Sequence, residues 1–443
     1  MGIGALVRAF LKVGAVGFGG GSALIPVVEK EIVQGRKLLP AEVYEEHVVV
    51  ANLTPGALPV KLGAAAGGAL SGPFAAFCCA FAVTLPGTLG TVLLLAALSG
   101  FAGDAALYLE MAAAGILTFI GLILVEYIHG VQKNAKRDGF GGTALAVMLL
   151  VFALTAGKEL YALAGLLIPL LAQFLPDKPI FDLSAIHVLL LAFFVIIVTS
   201  VRPSQKAEKP QTGVAIAVKP LVLSLALFLG VPLVLGAASV LLGAGQAGFF
   251  GKAALSAVTS FGGGEAYVAV AEGAFVGEGM GFVPRAALYT RLLPIANALP
   301  GPILVKILAG IGYDVGYAAG GMGMGLLTAL TCMSIGVGVT CGVFVPVHAA
   351  YRRFSGLSVF VRLKRFILPV VCGLLLTTML SMAESVLHTA QNAGLSPYMG
   401  MGMIAALAAG GHLLAKRLRL PDVVCVLLLG ALSLGMLLAA RIF

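Results

Sequence analysis

The sequence predicts an all-α polytopic membrane protein built from two inverted-topology repeats, each carrying broken or re-entrant helices. Four observations carry that prediction. The 443 residues are 60% hydrophobic and only 11% charged, with a mean hydropathy of +1.06, where a soluble domain carries roughly 25% charged residues. Apolar runs near the ~20 residues needed to span a bilayer fill almost the whole chain. Alternating ten-residue strands are absent, so the spans are expected to be helices and not a barrel. Finally, two motifs are written twice, once in each half.

Taken in order, apolar segments are expected at about 5–33, 43–70, 73–101, 105–130, 142–157, 159–176, 184–201, 217–243, 248–276, 286–312, 315–346, 365–386, 397–414 and 421–441. The stretch before Arg8 is too short for a cleaved signal peptide, so the chain is expected to start as mature protein. A polar linker with two prolines, Pro203 and Pro210, divides the chain. The expected organisation is a first repeat at 1–201, a linker at 202–216 and a second repeat at 217–443. These segments give an even number of crossings between the repeats, and inversion needs an odd number. The stretches 142–176 and 184–201 are the candidates for an irregular crossing, and about 13 crossings are expected.

The repeat is visible in the residues. Residues 18–32 read FGGGSALIPVVEKEI and residues 261–275 read FGGGEAYVAVAEGAF, with seven of fifteen positions identical. Residues 52–67 read NLTPGALPVKLGAAAG and residues 297–312 read NALPGPILVKILAGIG, with seven of sixteen identical. The two motifs lie 34 residues apart in the first copy and 36 in the second. Agreement in order, spacing and identity marks a duplication, common in membrane transporters.

Charge sets the relative orientation. The loop at 131–138 carries Lys133, Lys136 and Arg137, whereas its counterpart at about 387–396 has no Lys or Arg. The loop at 351–365 carries Arg352, Arg353, Arg362, Lys364 and Arg365, whereas its counterpart at 101–104 has only Asp104. Swapped basic loops indicate halves related by a two-fold axis in the membrane plane. Lys416, Arg417 and Arg419 fit the same cytoplasmic side. The location expected is the cytoplasmic (inner) membrane, multi-pass, and a homodimer is compatible with it.

The net charge of +9 falls in these loops, so no nucleic-acid partner is expected. The six cysteines lie within apolar spans with no CxxC, which gives neither a disulfide framework nor a metal site. The six histidines show no paired metal spacing and are expected in loops and interfaces. Gly251-Lys252 is not a phosphate loop, because Gln246 and Ala253 stand where glycine and Ser or Thr are needed. Asp residues are too few and dispersed for a metal-dependent lipid-phosphate enzyme. No enzyme activity and no cofactor is expected.

The repeated motifs permit a specific chemistry. Glycine runs at Gly19, Gly20, Gly21 and at Gly262, Gly263, Gly264 favour unwinding. A helix that resumes after them offers free N–H groups to an anion; close helix packing is the alternative. Pro55-Gly56 and Pro300-Gly301 are expected to break a second helix in each half, with a simple kink as the alternative. Asn52 and Asn297 stand three residues before each proline, and Thr54 lies beside Pro55. Lys61 and Lys306 each follow their proline by six residues inside an apolar run, where a lysine costs ~2.5–3.5 kcal/mol on insertion scales. As a symmetric pair they suit a dianion in one central cavity, with snorkelling to the interface as the alternative. Glu29, Glu272 and Glu265 are candidate coupling acids, with a solvated helix end as the alternative for Glu29.

The doubled FGGG with a downstream Glu, followed by a polar residue three before Pro-Gly, resembles the chromate transporter superfamily in its long, two-domain form. The second copy, Pro300-Gly301-Pro302, is closer to the family's Thr-Pro-Gly-Pro pattern; the first keeps Thr54-Pro55-Gly56 but has Ala57. The resemblance implies a secondary transporter of oxyanions, with chromate and sulfate as the typical ions. The family usually has Gln where this chain has Asn52 and Asn297, and often Asn where it has Lys61 and Lys306. The function expected is secondary active transport of a small inorganic oxyanion through the lipid bilayer, by alternating access about a midplane site of paired broken helices. An uncoupled anion channel, or transport of phosphate or an organic acid, is the alternative.

Overall fold

The computed structural model describes residues 2–16, 24–99, 104–168, 181, 183, 185–200, 217–244, 247–261, 267–276, 281–354 and 358–442. The FGGG glycines of both copies, Glu265 and the linker 202–216 lie outside the described residues. What is described is almost wholly helical, as the hydropathy predicted: a bilayer has no water to satisfy backbone groups, so each segment bonds its own.

In chain order the helices are α1 (Ile3–Val16), α2 (Leu24–Glu29, continued as a π-helix over Lys30–Gly35), α3 (Ala41–Leu53), α4 (Leu58–Ser71), α5 (Pro73–Ser99), α6 (Asp104–Arg137), α7 (Gly141–Thr155), α8 (Gly157–Leu167), α9 (Ala185–Ser200), α10 (Val218–Leu241), α11 (Ala247–Thr259) and α12 (Tyr267–Phe275). There follow a π-helix at Ala287–Leu292 leading into α13 (Leu293–Ala298), then α14 (Ile303–Phe354), α15 (Ser358–Asn392), α16 (Pro397–His412, extended as a π-helix over Leu413–Arg417) and α17 (Asp422–Ile442). Among the described residues, seven helices are long and apolar enough to cross a membrane, or up to eight if the bent pair α7–α8 forms one span. That count covers single long helices among the described residues; the shorter helices α1, α3, α4, α11 and α12, of 14 residues or fewer, come in addition. The stretch 142–176, expected to be irregular, contains that pair, bent by 69° at Ala156. At 1.5 Å per residue the 52 residues of α14 would run roughly 78 Å, far beyond one bilayer core. It is divided by non-helical backbone at Gly320 and Gly321 into two limbs.

Basic residues expected in two loops lie on described helices. Lys133, Lys136 and Arg137 occupy the last turns of α6, and Arg362 and Arg365 lie on α15. Cations in a last turn complement the negative end of the helix dipole, so α6 continues to Arg137.

The chain forms two compact units. One comprises Met1–Ala96, Leu189–Phe275 and Leu299–Leu368; the other comprises Ala97–Val188, Val276–Ala298 and Pro369–Phe443. Each half of the sequence contributes to both. In the first unit, close approach rests on small residues. Gly14 of α1 sits on the Val83 backbone of α5, Gly67 of α4 on the Ala75 backbone, and Gly338 of α14 on the Phe228 carbonyl of α10. Ser239 and Thr331 join α10 to α14 through their hydroxyls at 2.7 Å. His47, expected in a loop or interface, is instead buried on α3, edge-on to His348 with ring centroids 4.9 Å apart. In the second unit, α6 and α17 pack through Gly115 against Leu429, and Ser433 donates to the Met111 carbonyl at 2.6 Å. The six cysteines are free thiols, five buried and Cys78 half-buried.

Candidate functional site

The two copies of the Pro-Gly motif are broken at equivalent places, and described helices lie on either side of each FGGG. α1 ends at Val16 and α2 begins at Leu24; α11 ends at Thr259 and α12 begins at Tyr267. Both intervals enclose an FGGG, whose glycines lie outside the described residues. α3 ends at Leu53 and α4 begins at Leu58; α13 ends at Ala298 and α14 begins at Ile303. The Pro-Gly pairs fill these second gaps, and Gly56 and Gly301 both adopt φ +93°. That conformation suits glycine and disfavours any residue with a Cβ. The Pro-Gly pairs are therefore chain redirections, not simple kinks.

Both lysines are buried, each 1% exposed. Lys61 donates through Nζ to the carbonyls of Ala51 at 2.6 Å and Thr54 at 2.7 Å. Lys306 donates to the Leu299 carbonyl at 2.5 Å. Thr54 and Leu299 are equivalent, each seven residues before its lysine. The carbonyls freed at the end of the preceding helix are thus capped by an ammonium group from the next helix. Neither lysine snorkels to an interface. Two of the three N–H groups of Lys61 are spent on this clamp.

The breaks are closed across the repeat. The Gly56 N–H donates to the Ser260 carbonyl at 2.6 Å, at the edge of the second FGGG. A Cβ on Gly56 would overlap the Thr340 side chain, on the limb of α14 that follows Lys306. Reciprocally, a Cβ on Gly301 would come within 3.4 Å of the Gly14 carbonyl, in the helix leading to the first FGGG. The Pro300 carbonyl lies against Gly87, on the helix that follows Lys61. Both Pro-Gly breaks and both lysines fall in the first compact unit. Each break meets the helix before the other copy's FGGG and the helix after the other copy's lysine.

The remaining expected residues are placed as follows. Asn52 and Asn297 each turn back to the carbonyl four residues earlier, Val48 at 2.8 Å and Leu293 at 2.9 Å. Asn52 is exposed and lies in the first unit; Asn297 is half-buried and lies in the second. The Thr54 hydroxyl donates to the Val50 carbonyl at 3.1 Å. Pro55 is buried and Pro300 half-buried. Glu29, at the end of α2, accepts from Gln34 at 3.3 Å in an exposed pair. Glu272 is half-buried on α12. Gly19, Gly20, Gly21, Gly262, Gly263, Gly264 and Glu265 lie outside the described residues. Among the described residues, no three His, Cys, Asp or Glu side chains gather as around a metal ion.

One charged cluster escaped the sequence reading. In the second unit Arg285 bridges Glu159 at 3.2 Å and Glu384 at 3.0 Å, and donates to the Ser381 hydroxyl at 2.7 Å. Arg285, Ser381 and Glu384, with Glu110 and His388, border a cavity of about 260 Å³. The available signal was a carboxylate inside an apolar run at Glu159 and again at Glu384.

Comparison with known proteins agrees with this duplicated architecture. The family model described as "Chromate transporter" matches residues 4–175 and again 247–436. A relative, "Uncharacterized transporter YwrB" of Bacillus subtilis (strain 168), is 29% identical over 163 residues, which cover 37% of this chain and 81% of that protein. No solved structure matches the chain. With the family pattern met twice, over most of its length, the chain belongs to the chromate transporter family.

Proposed function

We propose that this membrane transporter carries an inorganic oxyanion of the chromate and sulfate type by secondary active transport across the cytoplasmic membrane. The two halves act as inverted repeats and alternate access about a site at the paired Pro-Gly breaks. The observation that carries this reading is the reciprocal closure of the breaks. Gly56 is completed by Ser260 and Thr340, and Gly301 by Gly14 and Gly87. Two broken helices facing each other's repeat make the kind of site a rocking transporter uses.

In this reading Lys61 and Lys306 have two tasks. Each caps the carbonyls before its proline, and each leaves a positive charge beside the break that an anion can use. The backbone N–H groups of Gly19–Gly21 and Gly262–Gly264, which lie outside the described residues, are the proposed coordinating donors. Uptake of sulfate and chromate into proteoliposomes tests the function. Accumulation against the anion gradient, driven by a counter-ion or proton gradient, is expected. Flux that only follows the anion gradient would point to a channel, and uptake of phosphate or an organic acid alone would reassign the substrate.

A further inference from the structure

Buried hydroxyl groups in this protein nearly always find a partner. The usual one is the carbonyl three or four residues back in the same helix, as for Thr91, Thr118 and Thr378. Among the described residues three buried hydroxyls have none: Thr88, Ser260 and Thr340. They are 3%, 1% and 1% exposed. A buried hydroxyl without a hydrogen bond is costly, and in a native structure it calls for an explanation.

Thr340 and Ser260 stand at the Gly56 break, and Thr88 is the chain neighbour of the residue that meets the Pro300 break. Thr340 lies directly on Gly56. Ser260 accepts the Gly56 N–H through its own carbonyl, which leaves its hydroxyl for another partner. Thr88 follows Gly87, the residue that lies against the Pro300 carbonyl and the Lys306 side chain. Thr340 comes from the helix after one lysine and Thr88 from the helix after the other. The unpartnered hydroxyls therefore follow the same reciprocal pattern as the breaks.

We propose that Thr340, Ser260 and Thr88 are ligand-binding hydroxyls that donate to the transported anion at the two breaks. This inference rests on the transport reading above and deepens it. It also narrows the chemistry. The carbonyls of Ala51, Thr54 and Leu299 already accept from the lysines. What the breaks offer is a set of donors: hydroxyls and the remaining ammonium N–H of Lys61. These groups donate to the oxygens of a tetrahedral oxyanion such as sulfate or chromate.

The test is sulfate binding to detergent-solubilised full-length protein, paired with sulfate uptake in proteoliposomes. Thr340→Val, Ser260→Ala and Thr88→Val are each expected to weaken sulfate binding about tenfold, or roughly 1.4 kcal/mol. Thermal unfolding should stay near the wild-type value. Thr340→Ser keeps the hydroxyl and should bind as wild type. Thr118→Val, which removes a hydroxyl bonded within its own helix, is the control expected to change nothing. Should Thr340→Val fail to fold, Ser260→Ala and Thr88→Val carry the test on either side of the site. Folded variants with wild-type sulfate affinity overturn the proposal while leaving the transport reading intact. Wild-type protein that takes up no anion overturns both.

Discussion

Lys61 donates to the carbonyl of Thr54, seven residues before it and next to the proline that breaks the helix. Lys306 makes the same reach to Leu299. A lysine that ties down the end of the preceding helix braces the redirection of the chain, because the proline and glycine there supply few bonds of their own.

Removing either lysine side chain should therefore cost stability as well as transport. Lys61→Met leaves two buried carbonyls without the ammonium group. It is expected to lose about 2–3 kcal/mol, and Lys306→Met somewhat less. Thermal unfolding of purified protein reads this. A drop in sulfate uptake with no fall in unfolding temperature would assign the lysine to the anion alone.

Gly56→Ala should be the more damaging of two equivalent substitutions. Both glycines sit at φ +93°, where an alanine is strained by about 1 kcal/mol or more. At Gly56 the new methyl must also displace Thr340, whereas at Gly301 it meets only ordinary contacts. Unfolding temperatures should fall in the order wild type, Gly301→Ala, Gly56→Ala. Equal losses at the two sites would show that backbone strain alone matters.

Gly87→Ala probes the same junction from the helix side. Its Cβ would run into the Pro300 carbonyl, which is backbone and cannot swing away. Sulfate uptake should fall at least tenfold. Gly121→Ala on α6 has open space around its Cβ. It should be neutral or slightly stabilising, because alanine is the better helix former by about 1 kcal/mol.

Arg285→Met leaves Glu159 and Glu384 facing each other without their bridging cation. Breaking a fully buried pair costs about 3–5 kcal/mol. The Arg285 side chain is 32% exposed, so a smaller loss of about 2 kcal/mol is expected. Arg285→Lys should recover only part of it, because an ammonium lacks the planar fork that serves two carboxylates and a hydroxyl together. An unchanged unfolding temperature in Arg285→Met would remove the bridge from the list of stabilising contacts.

The features that the residues announce are local ones. A proline followed by glycine redirects the chain wherever it stands, so the gaps at 54–57 and 299–302 could be placed in advance. What Gly56 and Gly301 touch could not be read, because Ser260 and Gly14 are distant in sequence. Hydropathy gives little help there, since lipid and protein interior are equally apolar and no polar stripe marks the buried face. In α10, Leu233 is exposed and Phe228 buried, yet both are apolar. The Arg285 cluster was hidden for a similar reason: its acids lie 126 residues before it and 99 after it, at Glu159 and Glu384.

The closure of Gly56 by Thr340 also sets a schedule for biosynthesis. Thr340 is made about 280 residues after Gly56, which at ~5–20 residues per second is roughly 15–60 s of translation. Until then Gly56 lacks the Thr340 side chain that lies against it in the full chain. Nascent chains caught in that interval should be the ones most easily cleaved by membrane proteases. Two halves made as separate polypeptides should function only when both are present.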